Sequence, residues 1–291
     1  MQTLPRTAGW IGWLAVLGLL VACSPTDESS TTAAPTVTTS DQCAKDSLHL
    51  LKPGRLTIAT SDPAFAPWVL DNDPTSGKGY ESAVAYAVAD QLGFSKGEVT
   101  WVAEPFNKSY APGAKDFDFD INQISITPKR EQVVDFSEGY ISTAQAVLTL
   151  KSSPFADAKS LADLADARLG AQVGTTSLQA ITDIVKPSHD PLVYQSTNDA
   201  KSALQNDQID GIVVDLPTAF YIRDAQIPGS TIVGQFEPTN GVNDELGLLF
   251  EQGNPLVACV NQALTALRSS GTLDQLEQRW LSQVASVPTL S

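Results

Sequence analysis

From Leu56 onward, apolar and polar residues along the chain follow two rhythms in turn. Leu56–Thr60 (Leu-Thr-Ile-Ala-Thr) reads as a short strand. Tyr80, Ala83, Val84, Ala87, Val88 and Leu92 then recur at i, i+3, i+4, i+7, i+8 and i+12, and Gly93 follows. That spacing predicts an amphipathic helix with a glycine stop. Strands are predicted at 99–102, 121–126 and 144–150, and a short helix at 128–134. A second series follows, with strands at 169–173, 192–194, 211–214 and 231–233 and helices at 178–185, 199–205 and 217–223. A strand at 246–250 precedes two helices, 255–269 and 273–281, separated by Gly271. Strands alternating with helices predict an α/β fold of largely parallel sheets with helices on both faces. Ligands of such sheets sit at the carboxyl ends of the strands.

The first 43 residues follow neither rhythm. Arg6 is followed by about 15 apolar residues ending Leu20-Val21-Ala22-Cys23. A bilayer span needs about 20, whereas a secretory leader needs fewer. The small residue before Cys23 resembles a bacterial lipoprotein signal, which would leave Cys23 acylated at the new N-terminus. An ordinary leader with an incidental cysteine is the alternative. Between Ser24 and Ser40, ten of 17 residues are Ser or Thr and none is aromatic. Too little apolar area is available there to fold, which predicts a tether over 23–42.

Composition narrows the function. The 291 residues carry a formal charge of −15, and losing residues 1–22 would remove only Arg6. An acidic chain is a poor partner for phosphate backbones, so no nucleic acid is expected. His49 and His189 are the only histidines, which leaves little for a His-based metal site or a nucleophile–His pair. No cofactor is expected. With Cys23 committed to lipid, Cys43 and Cys259 remain outside the reducing cytoplasm. There they can pair, or stay as one exposed and one buried thiol.

Three loops carry candidate chemistry. In Ile124-Ser125-Ile126-Thr127-Pro128-Lys129-Arg130, Thr127 suits an N-cap and Pro128 the first helical position. Arg130 stands where a capping box would place Glu or Gln, and a cation there opposes the helix dipole. A bound anion would account for it, and a solvated surface arginine is the alternative. Val173-Gly174-Thr175-Thr176-Ser177 passes from strand to helix through glycine and hydroxyls, which suits close approach to an anion. Asp210-Gly211-Ile212-Val213-Val214-Asp215 puts a carboxylate at a strand's carboxyl end, where it either faces a ligand or caps the next helix. Arginine, hydroxyls and a carboxylate together complement a carboxylate and an ammonium.

The order "DINQISITPKREQVVDFSEGY", "LGAQVGTTSLQAI", "DGIVVDLPTAF" and "ALTALRSSGTLDQLEQRWL" resembles the extracellular solute-binding proteins of family 3. These are polar amino-acid receptors of bacterial ABC importers, and the likeness runs from about Leu56 to Leu281. It implies two α/β lobes, the type II periplasmic-binding-protein fold, closing about two crossover strands near 144–148 and 246–250. Lobe one would hold 43–147 and 250–285, and lobe two 148–249. Cys43 and Cys259 would then share lobe one. The resemblance assigns Arg130 to the ligand α-carboxylate, with Ser125, Thr175 and Thr176 as hydroxyl and backbone partners. It assigns Asp215 to the α-ammonium and the Gln123 carbonyl to a second acceptor. Asp62, Phe65, Trp68 and Phe106 would line the side-chain pocket, with Gln172 nearby. Gln123 replaces a residue that is usually small, Glu81 one that is usually Asp, and 107–120 departs from the usual amphipathic helix.

The resemblance implies an amino-acid ligand, a permease with its ATPase, a membrane reached through lipid, and a monomer. An enzyme on the same fold and a sensor are the rivals. Asp118 and Asp120 could form a catalytic carboxylate pair, but their alternation with Phe117 and Phe119 is that of a half-exposed strand. Among the assigned pocket positions Arg130 is the sole cation, which favours a polar or neutral amino acid unless Lys108 or Lys129 folds inward.

Overall fold

The computed structural model describes residues 42–237, 244–281 and 287–291. The apolar leader, Cys23 and nearly all of the Ser/Thr segment lie outside the described residues. The chain first forms β1 (Leu56–Thr60), α1 (Tyr80–Gln91), β2 (Val99–Ala103), the one-turn helix α2 (Phe106–Ser109), β3 (Phe119–Asp120) and β4 (Val134–Phe136). It continues through β5 (Ile141–Thr143), β6 (Gln145–Leu150), β7 (Leu169–Gln172), α3 (Thr176–Ala180), β8 (Leu192–Tyr194), α4 (Thr197–Gln205), β9 (Gly211–Asp215) and α5 (Leu216–Tyr221). Strands β10 (Ser230–Phe236), β11 (Asp244–Leu246) and β12 (Leu249–Glu251) precede helices α6 (Leu256–Ser269) and α7 (Thr272–Leu281).

Two five-stranded sheets result, in the orders β2-β1-β3-β12-β4 and β10-β6-β9-β7-β8. In each, the strands joined through helices run parallel. Strands β12 and β6, which carry the chain to and from the other lobe, run antiparallel to their neighbours. The sheets are therefore mixed, less parallel than the alternation alone predicts. All five residues of β1 are buried, as a central strand covered on both faces requires. Helices α1, α6 and α7 pack into that first core, around Val84, Val88, Val260, Leu264 and Leu281.

The lobes are joined by a two-stranded antiparallel ribbon, in which Ile141 pairs with Leu246 and Thr143 with Asp244. The crossings therefore lie a few residues before the expected 144–148 and 246–250. Residues 145–147 belong to the second sheet, and Leu249 to the first. Apolar pattern cannot separate a crossover from the sheet strand that continues it, because both are buried. Cys43 and Cys259 are bridged, with Cα atoms 5.3 Å apart, and both pack against the first core. The bridge stays within one lobe and leaves the ribbon unconstrained.

Two further expectations change. The predicted strand at 121–126 is replaced by the short β3 and an irregular segment in which Gln123 has φ 48°. Phe117, Asp118, Phe119 and Asp120 are all buried, so theirs is a central strand covered on both faces and not a half-exposed one. The predicted helix at 128–134 is a pair of turns running into β4, where Val133 and Val134 both donate to the Arg130 carbonyl.

Beyond the elements read from sequence, residues 287–291 dock on the second lobe. The Gln235 N–H donates to the Pro288 carbonyl and the Leu290 N–H to the Gln235 carbonyl, both at 2.8 Å. Leu290 is 3 % exposed in the second lobe's core. Gly234 makes room for it, since a Cβ there would stand 2.5 Å from Leu290 Cγ. We expect Leu290→Ala to destabilise the protein by about 2–4 kcal/mol, as a buried leucine truncated in a filled site does. Urea denaturation measures this, and an unchanged midpoint would show that the tail is not part of the folded unit.

Candidate functional site

Segments that follow strands of both lobes meet around a cavity of about 100 Å³, the scale of one small molecule. The first lobe contributes Phe65, Phe106, Gln123, Ser125 and Arg130. The second contributes Gln172, Thr175 and Thr176 at the end of β7 and Asp215 at the end of β9. Nine positions singled out from sequence thus line one cavity, at the carboxyl ends of parallel strands, where α/β sheets bind ligands.

Arg130 is 7 % exposed, which removes the solvated-arginine alternative. Its placement does not depend on a helix dipole, because no helix begins at Pro128. Nη1 donates to the Ser125 carbonyl at 2.6 Å, and Nη2 to the Gly174 carbonyl of the second lobe at 3.0 Å. The guanidinium lies 4.8 Å from the Tyr110 ring centroid and 5.5 Å from that of Phe106, a stacked arrangement worth more once desolvated. Burial lowers its pKa, though an arginine stays charged. Gly174, at φ 74°, has no room for a side chain: a Cβ would sit 2.1 Å from Tyr110 Oη. The glycine is what lets its carbonyl reach Arg130.

The hydroxyls divide their work. Thr175 Oγ1 donates to the Gln172 carbonyl and accepts from the Leu178 N–H, so it caps α3 and has little left to offer. Ser125 Oγ and Thr176 Oγ1 share a hydrogen bond at 3.2 Å across the cleft, and Ser125 also reaches Asp244 at 3.4 Å.

Asp215 precedes α5, but its side chain makes no capping bond, which removes that alternative. Its carboxylate instead accepts from Gln145 Nε2 at 2.8 Å. The same amide nitrogen lies 3.3 Å from Asp244, and Gln145 Oε1 accepts from Ser177. Gln145 therefore orients the acceptor, and sequence reasoning missed it because it reads as one polar residue in an apolar strand. Desolvation and the neighbouring Asp244 push Asp215 up to about 7.

Gln123 faces away from the cavity's polar end. Its backbone N–H and its Nε2 both donate to Glu81, which Tyr140 Oη also reaches. Burial raises Glu81 to about 7 against those three donors. The glutamate thus fixes the left-handed turn at Gln123 in place of touching the cavity.

Two assigned pocket residues lie elsewhere. Asp62 is exposed and accepts from Asn72 Nδ2 at 3.0 Å, because the loop after β1 turns its carboxylate outward. Trp68 is fully buried against Tyr80, and its Nε1 donates to Thr218 of the second lobe at 2.9 Å. It spans the cleft without lining the cavity. Lys108 pairs with Glu104 and Lys129 is exposed, so neither reaches in. Lys201 and Gln226, unmarked in the sequence, do line the cavity.

Asp118 and Asp120 do not form a pair. Asp118 accepts from the Leu51 and Thr57 N–H groups, each at 2.6 Å, and so ties the N-terminal segment to β1. Asp120 accepts from Ser109, and burial raises it to about 7.

Comparison with known proteins identifies the family. The family model of bacterial extracellular solute-binding proteins, family 3, matches residues 56–283. The chain is similar to the ABC transporter arginine-binding protein 1 of Escherichia coli (strain K12), at 27 % identity over 70 % of this chain and 82 % of that one. It is similar to the L-cystine-binding protein TcyJ of the same strain, at 26 % identity over 80 % of this chain and 85 % of the other. Among solved structures it resembles the ancestral amino acid-binding protein AncCDT-1, a precursor of cyclohexadienyl dehydratase. There the TM-score is 0.65 and the identity 27 %, over 78 % of this chain and 95 % of that one. With the two-lobed fold, the cleft and a family match spanning nearly all of the folded chain, this protein belongs to the bacterial extracellular solute-binding proteins, family 3.

Proposed function

We propose that the protein is a lipid-anchored receptor on the outer face of the cell membrane that captures an α-amino acid and delivers it to an ABC importer, a permease with its ATPase. One observation carries the reading: Arg130 and Asp215 line the same cavity, and neither forms an ion pair among the described residues. A ligand carrying both a carboxylate and an ammonium completes both ends. Relatives named for arginine and cystine support an amino-acid ligand. The leader ending at Cys23 supports the anchor, and a bridge confined to one lobe suits a receptor that closes as a monomer. Asp118 and Asp120, the rival's catalytic pair, are held apart by separate structural duties, which favours binding over turnover.

Thermal-shift screening of the twenty amino acids, together with decarboxylated and deaminated analogues of the best one, tests the reading. Only zwitterions should shift the melting temperature, and equal shifts with amine, acid and zwitterion would overturn the two-ended site. Arg130→Ala should abolish binding. It should also lower ligand-free stability by about 1–3 kcal/mol, because the Ser125 and Gly174 carbonyls lose their donor. Asp215→Asn should weaken binding by about 2–3 kcal/mol, the ammonium losing its charged partner.

A pH dependence follows from Asp215. Folded-state pKa values raised to about 7 mean that Glu81, Asp120 and Asp215 hold protons which the unfolded chain releases near pH 4. Their contribution to stability is therefore complete at low pH and is lost as pH rises through about 7. Ligand-free protein should melt lower at pH 8 than at pH 5.5. A bound ammonium lowers the Asp215 pKa, so binding at pH 6 should release a proton. Calorimetry in two buffers of different ionisation enthalpy reads that release, and Asp215→Asn should remove it; proton uptake would contradict the assignment.

Cell fractionation tests the anchor. Cys23→Ala should move the protein out of the membrane fraction, and retention there would contradict lipidation at Cys23.

A further inference from the structure

The cavity has a second cation that sequence reasoning did not find. Lys201 is the middle residue of α4 and reads locally as a solvated helix lysine, with Asp199 and Ser202 close by in sequence. In the folded chain its Nζ lies 5.4 Å from the ring centroid of Phe65, across the cleft, and donates to Gln226 Oε1 at 2.8 Å. No carboxylate lies within ion-pair distance of it among the described residues. Burial alone lowers its pKa, with no charged neighbour acting on it. An ammonium has three donors, and here one meets a neutral amide oxygen.

The groups around Lys201 share its polarity. Gln226 presents its oxygen to the ammonium, so its Nε2 is left as a donor. Gln172 is fixed in the same sense: its Oε1 accepts both the backbone N–H and the hydroxyl of Thr197, at 3.0 and 3.1 Å. Its Nε2 has no partner among the described residues. From the first lobe, Asn122 lines the same cavity at 2 % exposure. Its Oδ1 accepts from Ser61, and its Nδ2 is buried without a partner. Of the two carboxylates among the assigned pocket positions, Asp215 is taken by the α-ammonium in the receptor reading, and Asp62 points outward into solvent.

We propose that Lys201 reads the ligand's side chain, and that the ligand is an acidic α-amino acid, L-glutamate or L-aspartate. This deepens the receptor reading and rests on it, since Arg130 and Asp215 must hold the α-groups for the side chain to reach Lys201. The choice of acid over amide follows from the donor count. An ionised carboxylate only accepts hydrogen bonds, whereas an amide brings an NH₂ donor into a site already lined with donors. A basic side chain would place a second ammonium or a guanidinium beside Lys201 with no carboxylate to separate them. The preference for a polar or neutral ligand rested on Arg130 being the sole cation, and Lys201 removes that premise.

Isothermal titration of the purified protein with L-glutamate, L-aspartate, L-glutamine, L-asparagine, L-arginine and L-alanine tests the proposal. One of the two acids should bind at least about 10-fold more tightly than its amide, and L-arginine should not compete. Lys201→Met should lower affinity for that acid by about 10- to 100-fold, the range of a charge-assisted hydrogen bond. It should change affinity for the amide by much less, so that the acid-to-amide preference collapses. Lys201→Arg should keep most of the preference. The melting temperature of each ligand-free variant checks folding, and Lys201→Gln is the second variant if the methionine form does not fold. Tighter binding of L-glutamine, L-arginine or L-alanine than of either acid, or an undiminished acid preference in Lys201→Met, would overturn the role of Lys201 while leaving the receptor intact. Failure of every amino acid to bind wild-type protein would overturn the receptor reading and this inference together.

Discussion

A guanidinium taken almost out of water has to be met by something, and the cleft is organised around how Arg130 is met. The cost of burying an unpaired charge is many kcal/mol, so such a group survives only with close partners. Here the partners come half from each lobe: the Ser125 carbonyl on one side and the Gly174 carbonyl on the other, with Tyr110 and Phe106 stacked against the planar face. Because Gly174 belongs to the second lobe, that hydrogen bond exists only while the lobes are apposed. Two of five guanidinium donors are thereby committed, and the others remain for an anion. The side chain proposed to hold a carboxylate is thus also one that ties the lobes together. The absence of a side chain at Gly174 is part of the same arrangement, since any Cβ would drive Tyr110 away from the stack.

Three buried carboxyl groups show the opposite strategy. Glu81, Asp120 and Asp215 are all pushed up to about 7 by burial, but they are met differently. Glu81 accepts from both Gln123 nitrogens and from Tyr140, and so spends its lone pairs on holding a left-handed turn. Asp120 is matched by Ser109 inside the first lobe. Asp215 alone faces the cavity, fixed by one amide donor from Gln145 and otherwise open. Its ionisation near pH 7 is opposed by burial, so in the proposed receptor a bound ammonium would favour the charged form. Arg130 cannot shed its charge and Asp215 can, so the two ends of the cavity respond differently to pH.

The sequence revealed the architecture through periodicity: β1, α1, the strands of the second lobe and the two terminal helices stand close to where apolar spacing places them. Legibility failed where the chain is irregular. The segment 121–134 is apolar enough to suggest a strand and a helix, yet its backbone is bent by Gln123 and by turns that exist only through Glu81 and Arg130. The crossovers could not be separated from the sheet strands they run into. Residues 287–291 gave no signal, because their docking depends on the bare surface at Gly234. In the site, Arg130 was found through a helix that does not form, and Asp215 through a strand end that does. Lys201 was invisible for the opposite reason, since nothing in Asn198-Asp199-Ala200-Lys201-Ser202 conflicts with an ordinary solvated helix. Its chemistry is set by Phe65 and Gln226, residues far from it in sequence.

That contrast separates two kinds of recognition within one cavity. In the proposed receptor, the groups for the part common to all amino acids stand out locally, Arg130 as a cation just after Pro128 and Asp215 as a carboxylate ending an apolar strand. Lys201, proposed to read the side chain, obeys local rules and acquires its meaning from tertiary placement. Overall charge does not help either. A chain of −15 repels an acidic ligand at long range, but beyond a Debye length of about 8 Å that field is screened at physiological salt. Within the cleft, a few desolvated donors on fixed amides and one ammonium act at hydrogen-bond distance, where low dielectric strengthens them. In the proposed receptor, selection of the side chain is therefore a short-range matter, decided by Lys201 and by which way three amides are turned and not by the sign of the protein.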